Sequence, residues 1–387
     1  MMINRLMPAL ALGIALSMSL LATASAESVK IGVIAPLSGG GAPWGKASQA
    51  ALDIAASEVN AKGGLDVDGK KYQVEVIAYD DQYKAADAVA AYNRLVTKDG
   101  VKYMFIVLSP ETLALAQSVE DDKVIALSAA GVERAVNPAS KYMFRVLSIY
   151  RDYVPLVIGW VKDHRPGRRV ALIGPNDEVG WSYRDFVSPV YKTDGFDLVD
   201  SELFERSLRD FAPVLTKIIA MAPDMIDISA VPPATAGLIV RQARDLGYKG
   251  IFVKASGAAT KEIIEAAGKD GAEGTISLHF TDPHTDGYKR LAAEYQKSVG
   301  GQPDDLIVIQ YDAARALLTA IKNSGDVNDT AKVSAALLTR TFPMESALGD
   351  KLDLGGKAGR GSPNQIMTVG YISVIENGDP VIVGKVQ

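Results

Sequence analysis

"SVKIGVIAPLSGGGAPWGKASQAALDIAASEVNAKGG", residues 28–64, runs a short β-branched stretch into a glycine-rich loop and then into a long helical pattern. The run Val29–Ala35 has the length and composition of a buried strand. Leu52, Ala55, Ala56 and Val59 then fall on one face at helical spacing, and Gly63 suits a left-handed stop. A strand, a glycine loop and a helix in that order form the opening of a βαβ unit.

Gly40, Gly45 and Lys46 match the G-x-x-x-x-G-K spacing of a phosphate-cradling loop. The match fails on chemistry. Ala47 has no hydroxyl for magnesium, and Pro43 and Trp44 fill the place where backbone N–H groups should converge on phosphate. Asp80 and Asp81, which close the next apolar run "YQVEVIAY", read as a turn as readily as a metal site.

The same alternation continues along the chain. "YMFIVL" and "KVIALS", then "RRVALIG", "MIDISAV", "GIFVKAS" and "GTISLHF", are short apolar runs separated by helical segments such as "ATAGLIVRQARDLG". Two series of similar size predict an α/β protein of two doubly wound parallel-sheet lobes. Ligands of such sheets bind beyond the carboxyl ends of the strands. This points to "PLSGGGAPWG", "VLSPETL", "LSAAGVER", "GPNDEVGWS", "AVPPATA" and "KASGAAT", where Ser109 and Ser128 add hydroxyls or merely cap helices.

Residues 1–26, "MMINRLMPALALGIALSMSLLATASA", carry Arg5, an apolar stretch to about Ala22 and "ASA" before Glu27. That is the pattern of a secretory signal peptide cleaved after Ala26. A membrane anchor is the competing reading, since a span takes about 20 apolar residues. Pro8 and the absence of a basic flank after Ala26 favour cleavage. Export from the cytoplasm would also remove the chain from ATP. The 387 residues are 48% hydrophobic and 22% charged with a net charge of −5, a globular composition with no basic cluster for nucleic acid. No cysteine is present, so neither disulfides nor a cysteine lipid anchor contributes.

Four stretches carry a resemblance that covers nearly the whole chain after residue 27, in order: residues 31–64, "IAYDDQYKAADAVAAYNRLVTKDGV", "LIVRQARDLGYKGIFV" and "YDAARALLTAIKNSG". They resemble the periplasmic leucine/isoleucine/valine-binding protein family. The resemblance implies a type I periplasmic binding fold, two lobes joined by a three-segment hinge, that closes over a small ligand and hands it to the permease subunits of an ABC importer. It implies lobe 1 at 28–147 plus 281–365 and lobe 2 at 148–280 plus 366–387. A monomer is expected, with no enzymatic activity, no cofactor and no nucleic acid partner.

Site positions carry over residue by residue. Trp44 falls where family members place an aromatic over the ligand, Ser109 where a serine receives its carboxylate, and Ala130 where the backbone touches it. Val132 stands in place of a carboxylate-binding threonine, Pro232 of a tyrosine at the amine, and Ser256 of the glutamate that pairs with the ammonium. Val179 replaces another cleft aromatic, with Trp181 close by. The carboxylate half is thus partly kept and the ammonium half is missing, and an ammonium enclosed without a carboxylate costs several kcal/mol. The expected ligand is a small organic acid without an α-ammonium, with an aromatic body that would suit Trp44. An amino-acid binder and a ligand-sensing regulatory subunit are the alternatives. Lys254 reads either as a cation at the cleft or as a solvated lysine capping a loop, and Arg134 and Tyr150 as rim residues. His279 and His284 flank Asp282 in "HFTDPH" at a spacing that is not a helical ligand pair, so no metal is expected.

Overall fold

The computed structural model describes residues 27–257, 259–339, 346–347, 353–354, 363–367 and 369–386. The signal-peptide segment and its cleavage point lie outside them. The first pass of the chain builds β1 (Ser28–Ala35), α1 (Ala42–Asn60), β2 (Leu65–Val67), β3 (Lys70–Asp80), α2 (Ala85–Thr97), β4 (Tyr103–Ile106), α3 (Ser109–Asp121), β5 (Ile125–Ser128) and β6 (Met143–Arg145). The second builds α4 (Tyr150–His164), β7 (Arg169–Pro175), α5 (Glu178–Thr193), β8 (Asp197–Phe204), α6 (Ala212–Ala220), β9 (Met225–Asp227), α7 (Pro233–Asp245), β10 (Ile251–Lys254), α8 (Thr260–Ala272) and β11 (Ile276–His279). The third adds α9 (Asp286–Ser298), α10 (Leu306–Ser324), α11 (Thr330–Leu338), the short pair β12 (Asp353–Leu354) and β13 (Ile366–Met367), and the hairpin β14 (Gly370–Glu376) and β15 (Asp379–Val386).

The strands form two α/β sheets, ordered β2-β3-β1-β4-β5-β6 and β15-β14-β11-β10-β9-β7-β8. The sheets are mixed rather than wholly parallel. β2 pairs antiparallel with β3, and β14 is antiparallel both to β11 and to β15. α10 packs along α1 on the first sheet, while β14 and β15 complete the second. β1 is apolar from Ile31 onward, where both its faces are covered, while Lys30 near its start donates to the Asp99 carbonyl at 2.9 Å. Val29, Ile31, Val33 and Ala35 join the core beneath α1 and α10, and Ile34 joins the opposite one with Leu95 and Val119.

The helical face expected from sequence is real. Leu52, Ala55 and Ala56 are buried, and α1 ends at Asn60, with Gly63 and Gly64 at positive φ turning the chain back. The glycine loop has a steric purpose. A Cβ on Gly45 would lie 2.1 Å from the Pro36 carbonyl oxygen, and one on Gly180 would lie 1.8 Å from that of Pro175. In each lobe a glycine in the first turn of a helix therefore seats that helix on the proline at a strand end. Lys46 points into solvent. Asp80 secures the same loop by accepting the Leu37 N–H at 2.9 Å and the Ser38 hydroxyl at 2.6 Å.

Candidate functional site

Each sheet has a switch point where its strand order reverses, at β1/β4 in the first and β7/β9 in the second. The loops leaving these four strands face one another, and a cavity lies between them, as expected for doubly wound sheets. Its empty space is about 600 Å³ with the open side included. The first sheet contributes Trp44, Tyr83 and Ser109; the second contributes Val179, Ser229 and Ser256. Tyr150 and Tyr153 come from α4, and Phe280 and Asp304 flank the return crossing.

The wall is largely aromatic. Trp44 meets Tyr83 edge to face with centroids 6.3 Å apart. Tyr153 packs edge-on against Tyr150 at 6.3 Å and against Phe280 at 5.6 Å. Burial pushes the Tyr150 phenol up to about 12, against the pull of Ser256, and pushes Tyr153 and Tyr83 up as well. These phenols stay neutral across the physiological range.

Helix starts near the cleft differ in what they leave for an anion. α5 is capped by Asp177, whose carboxylate accepts the N–H groups of Val179 at 3.0 Å and Gly180 at 3.4 Å. α7 is entered through Pro232 and Pro233, which have no N–H to give. α3 begins at Ser109 with no side-chain cap. Pro110 has no N–H and the Thr112 N–H bonds Leu108 O at 3.1 Å, so the Ser109 N–H and hydroxyl are what this helix start offers a ligand at the cavity wall. Ser109 is not a mere N-cap, because its Oγ accepts the Val132 N–H at 3.3 Å. Ser128 is structural. Its Oγ accepts the Ala130 N–H at 3.0 Å and touches the Thr112 hydroxyl at 2.7 Å.

Trp44, Ser109, Tyr150, Val179 and Ser256 come together around the cavity, and other expected residues do not. Ala130 and Val132 are buried behind it. The Arg145 guanidinium draws both carbonyls backwards, reaching Ala130 O and, at 3.1 Å, Val132 O, so their neighbours Ala129 and Gly131 form the wall instead. Pro232 stands where the lobes touch, facing Gly40. Lys254 is neither solvated nor on the wall: it is wholly buried, and its ammonium donates to Ser229 O at 3.2 Å and Ser256 O at 3.1 Å. Burial lowers its pKa to about 8, an effect opposed by Asp304. Arg134 does sit at the rim, where it forms a two-pronged ion pair with Glu178 of the other lobe. Trp181 faces solvent and bonds Asn176. His279 is buried beside Thr260 and Asp305, and among the described residues no cluster of three or more acids and histidines is arranged to hold a metal.

Asp304, Tyr83, Tyr153 and Phe280 were not found from sequence. Asp304 precedes α10 as an ordinary capping acid, and its Oδ1 accepts the Leu306 N–H at 3.0 Å. Only the return crossing carries it to the cleft. Burial, reinforced by Asp305, raises its pKa well above the usual carboxylate range.

Two α/β lobes in contact across a cavity at their facing switch points define a two-lobed ligand-binding protein. The chain belongs to the periplasmic binding protein family, whose model matches residues 28–378. It is 27% identical over 335 residues to an amino acid binding protein of Pseudomonas aeruginosa, covering 86% of this chain and 87% of that one. It is 24% identical over 341 residues to the Leu/Ile/Val-binding protein of Escherichia coli K12, covering 86% and 90%. Among solved structures, a Rhodopseudomonas palustris BisB5 solute-binding protein in complex with 3,4-dihydroxybenzoic acid superposes with a TM-score of 0.77 at 23% identity, over 93% of this chain and 98% of that one. A second R. palustris protein, in complex with 4-hydroxybenzoate, gives 0.74 at 21%, over 93% and 96%. These two likenesses establish the shared fold. No helix among the described residues is long and apolar enough to cross a membrane.

Proposed function

We propose that this chain is the periplasmic substrate-binding subunit of an ABC importer and that it closes over a small aromatic carboxylate with no α-ammonium. The observation that carries this reading is the cavity's make-up. Trp44, Tyr83, Tyr150, Tyr153 and Phe280 wall a space onto which the uncapped start of α3, at Ser109, opens, and that suits an anion. Flat apolar walls favour a ring, and a backbone N–H beside a serine hydroxyl favours a carboxylate. The fold neighbours solved with 3,4-dihydroxybenzoic acid and 4-hydroxybenzoate support the same ligand class. The lobes divide near residues 147, 281 and 366, and these crossings act as the hinge. The protein is exported with cleavage after Ala26 and delivers its ligand, as a monomer, to permease subunits.

Asp304 favours a second reading, amino-acid binding, because a carboxylate on the wall offers an ammonium a partner. A thermal-shift panel separates the two, since a ligand that binds only the native state raises its melting temperature. Benzoate-type acids should raise it and leucine, valine and alanine should not. The reverse pattern establishes the amino-acid reading.

A further inference from the structure

Lys254 closes β10, lies wholly buried, and donates to two backbone carbonyls of the cavity loops, Ser229 O at 3.2 Å and Ser256 O at 3.1 Å. In a trans peptide plane the C=O and the following N–H point in opposite directions, and no cis peptide bond occurs among the described residues. A carbonyl drawn back onto Lys254 therefore turns the next N–H away from it. The next residues are Ala230 and Gly257, and both line the cavity. Neither N–H has an acceptor among the described residues.

The first lobe is built the same way. Arg145 is buried and holds Ala130 O, and the next N–H is that of Gly131, which also lines the wall. Behind each wall a buried cation thus occupies carbonyls and leaves N–H groups on the cavity side. A buried N–H without an acceptor is costly, so a ligand that supplies one is favoured. We propose that Lys254 is a positioning residue that sets specificity. By holding Ser229 O and Ser256 O it presents the Ala230 and Gly257 N–H groups to the ligand. The second lobe then selects aromatic carboxylates that bear a further hydrogen-bond acceptor, such as an aryl ketone, over apolar counterparts of the same shape. This rests on the aromatic-carboxylate reading above and adds what the ligand's other end must offer.

Titration calorimetry on the mature chain tests it with 3- and 4-acetylbenzoate against 3- and 4-isopropylbenzoate, pairs that match in shape and differ in the acceptor. In wild type the better acetyl isomer should bind about 2- to 10-fold tighter than its isopropyl partner, the scale of one neutral hydrogen bond. Lys254→Met keeps an unbranched apolar stem and frees both carbonyls, and it should bring that ratio to one or below. A residue that only supported the fold would lower both affinities alike and leave the ratio unchanged. A wild-type ratio of one or less, or a ratio that survives in Lys254→Met, overturns the proposal and leaves the aromatic-carboxylate reading standing. If none of the four acids binds while leucine does, that reading falls and this inference falls with it. Should Lys254→Met fail to fold, Lys254→Leu makes the same comparison.

Discussion

Arg206 bridges the two lobes beside the cleft, outside the cavity wall. It follows β8 on the second sheet, and its guanidinium carbon lies 3.7 Å from the centroid of the Tyr83 ring, which belongs to the first. Its Nε also donates to Asp177 at 2.5 Å, a contact within its own lobe that persists when the lobes separate. The contact with Tyr83 crosses between the lobes and is broken if they part. Arg206→Met keeps most of the stem and removes both contacts. The Asp177 pair is lost from the open and closed forms alike, so the Tyr83 contact is what changes the closed form's share. A partly desolvated cation–π pair is worth about 0.5–2 kcal/mol, so ligand affinity should fall by roughly 2- to 30-fold. Arg206 does not line the cavity, so the loss should be uniform across ligands. Calorimetry on wild type and variant reads the affinity, and small-angle scattering at ligand saturation reads compaction. Unchanged affinity, or a loss that differs sharply between ligands, refutes the idea that this contact contributes to closure.

Trp44→Ala should weaken binding by about 1–3 kcal/mol through loss of a large aromatic contact, read by calorimetry. Ser109→Ala should cost about 1.5–3 kcal/mol for a carboxylate ligand, and an uncharged amide analogue should lose less in the same titration. Burial pushes the Asp81 carboxyl up to about 7, with Asp80 adding to the shift and the Tyr83 N–H opposing it. The folded state then holds a proton that the unfolded chain releases, so stability should fall as pH rises from about 4 to 7 and flatten above. Asp81→Asn should remove part of that slope, on the order of a few kcal/mol, and raise the melting temperature at pH 8; an unchanged denaturation profile across pH contradicts it.

Most of the fold was legible because its signals are local. The strand, glycine loop and helix of residues 28–64 announce themselves by period and punctuation, and β4, β5, β7, β9, β10 and β11 coincide with apolar runs. The G-x-x-x-x-G-K spacing misleads only until packing is considered, because Gly45 is required by the Pro36 carbonyl rather than by phosphate. The site was legible where one loop follows one strand, as at Trp44 and Ser109. It was not legible where tertiary structure supplies the wall. Asp304 reads as a helix cap, Tyr153 as one more apolar position of α4, and only the crossings bring them to the ligand. Lys254 fitted neither expectation. Its ammonium is satisfied by Ser229 and Ser256 carbonyls, one of them far away in sequence.

The central claim concerns charge, and a direct titration tests it: mature protein against benzoate and against leucine in the same buffer at pH 7. The cavity's aromatic walls and the uncapped start of α3 at Ser109 predict heat and saturation with benzoate and none with leucine at equal concentrations. Saturable micromolar binding of leucine with benzoate inert would contradict the account, and would mean that Asp304 receives the ligand's ammonium.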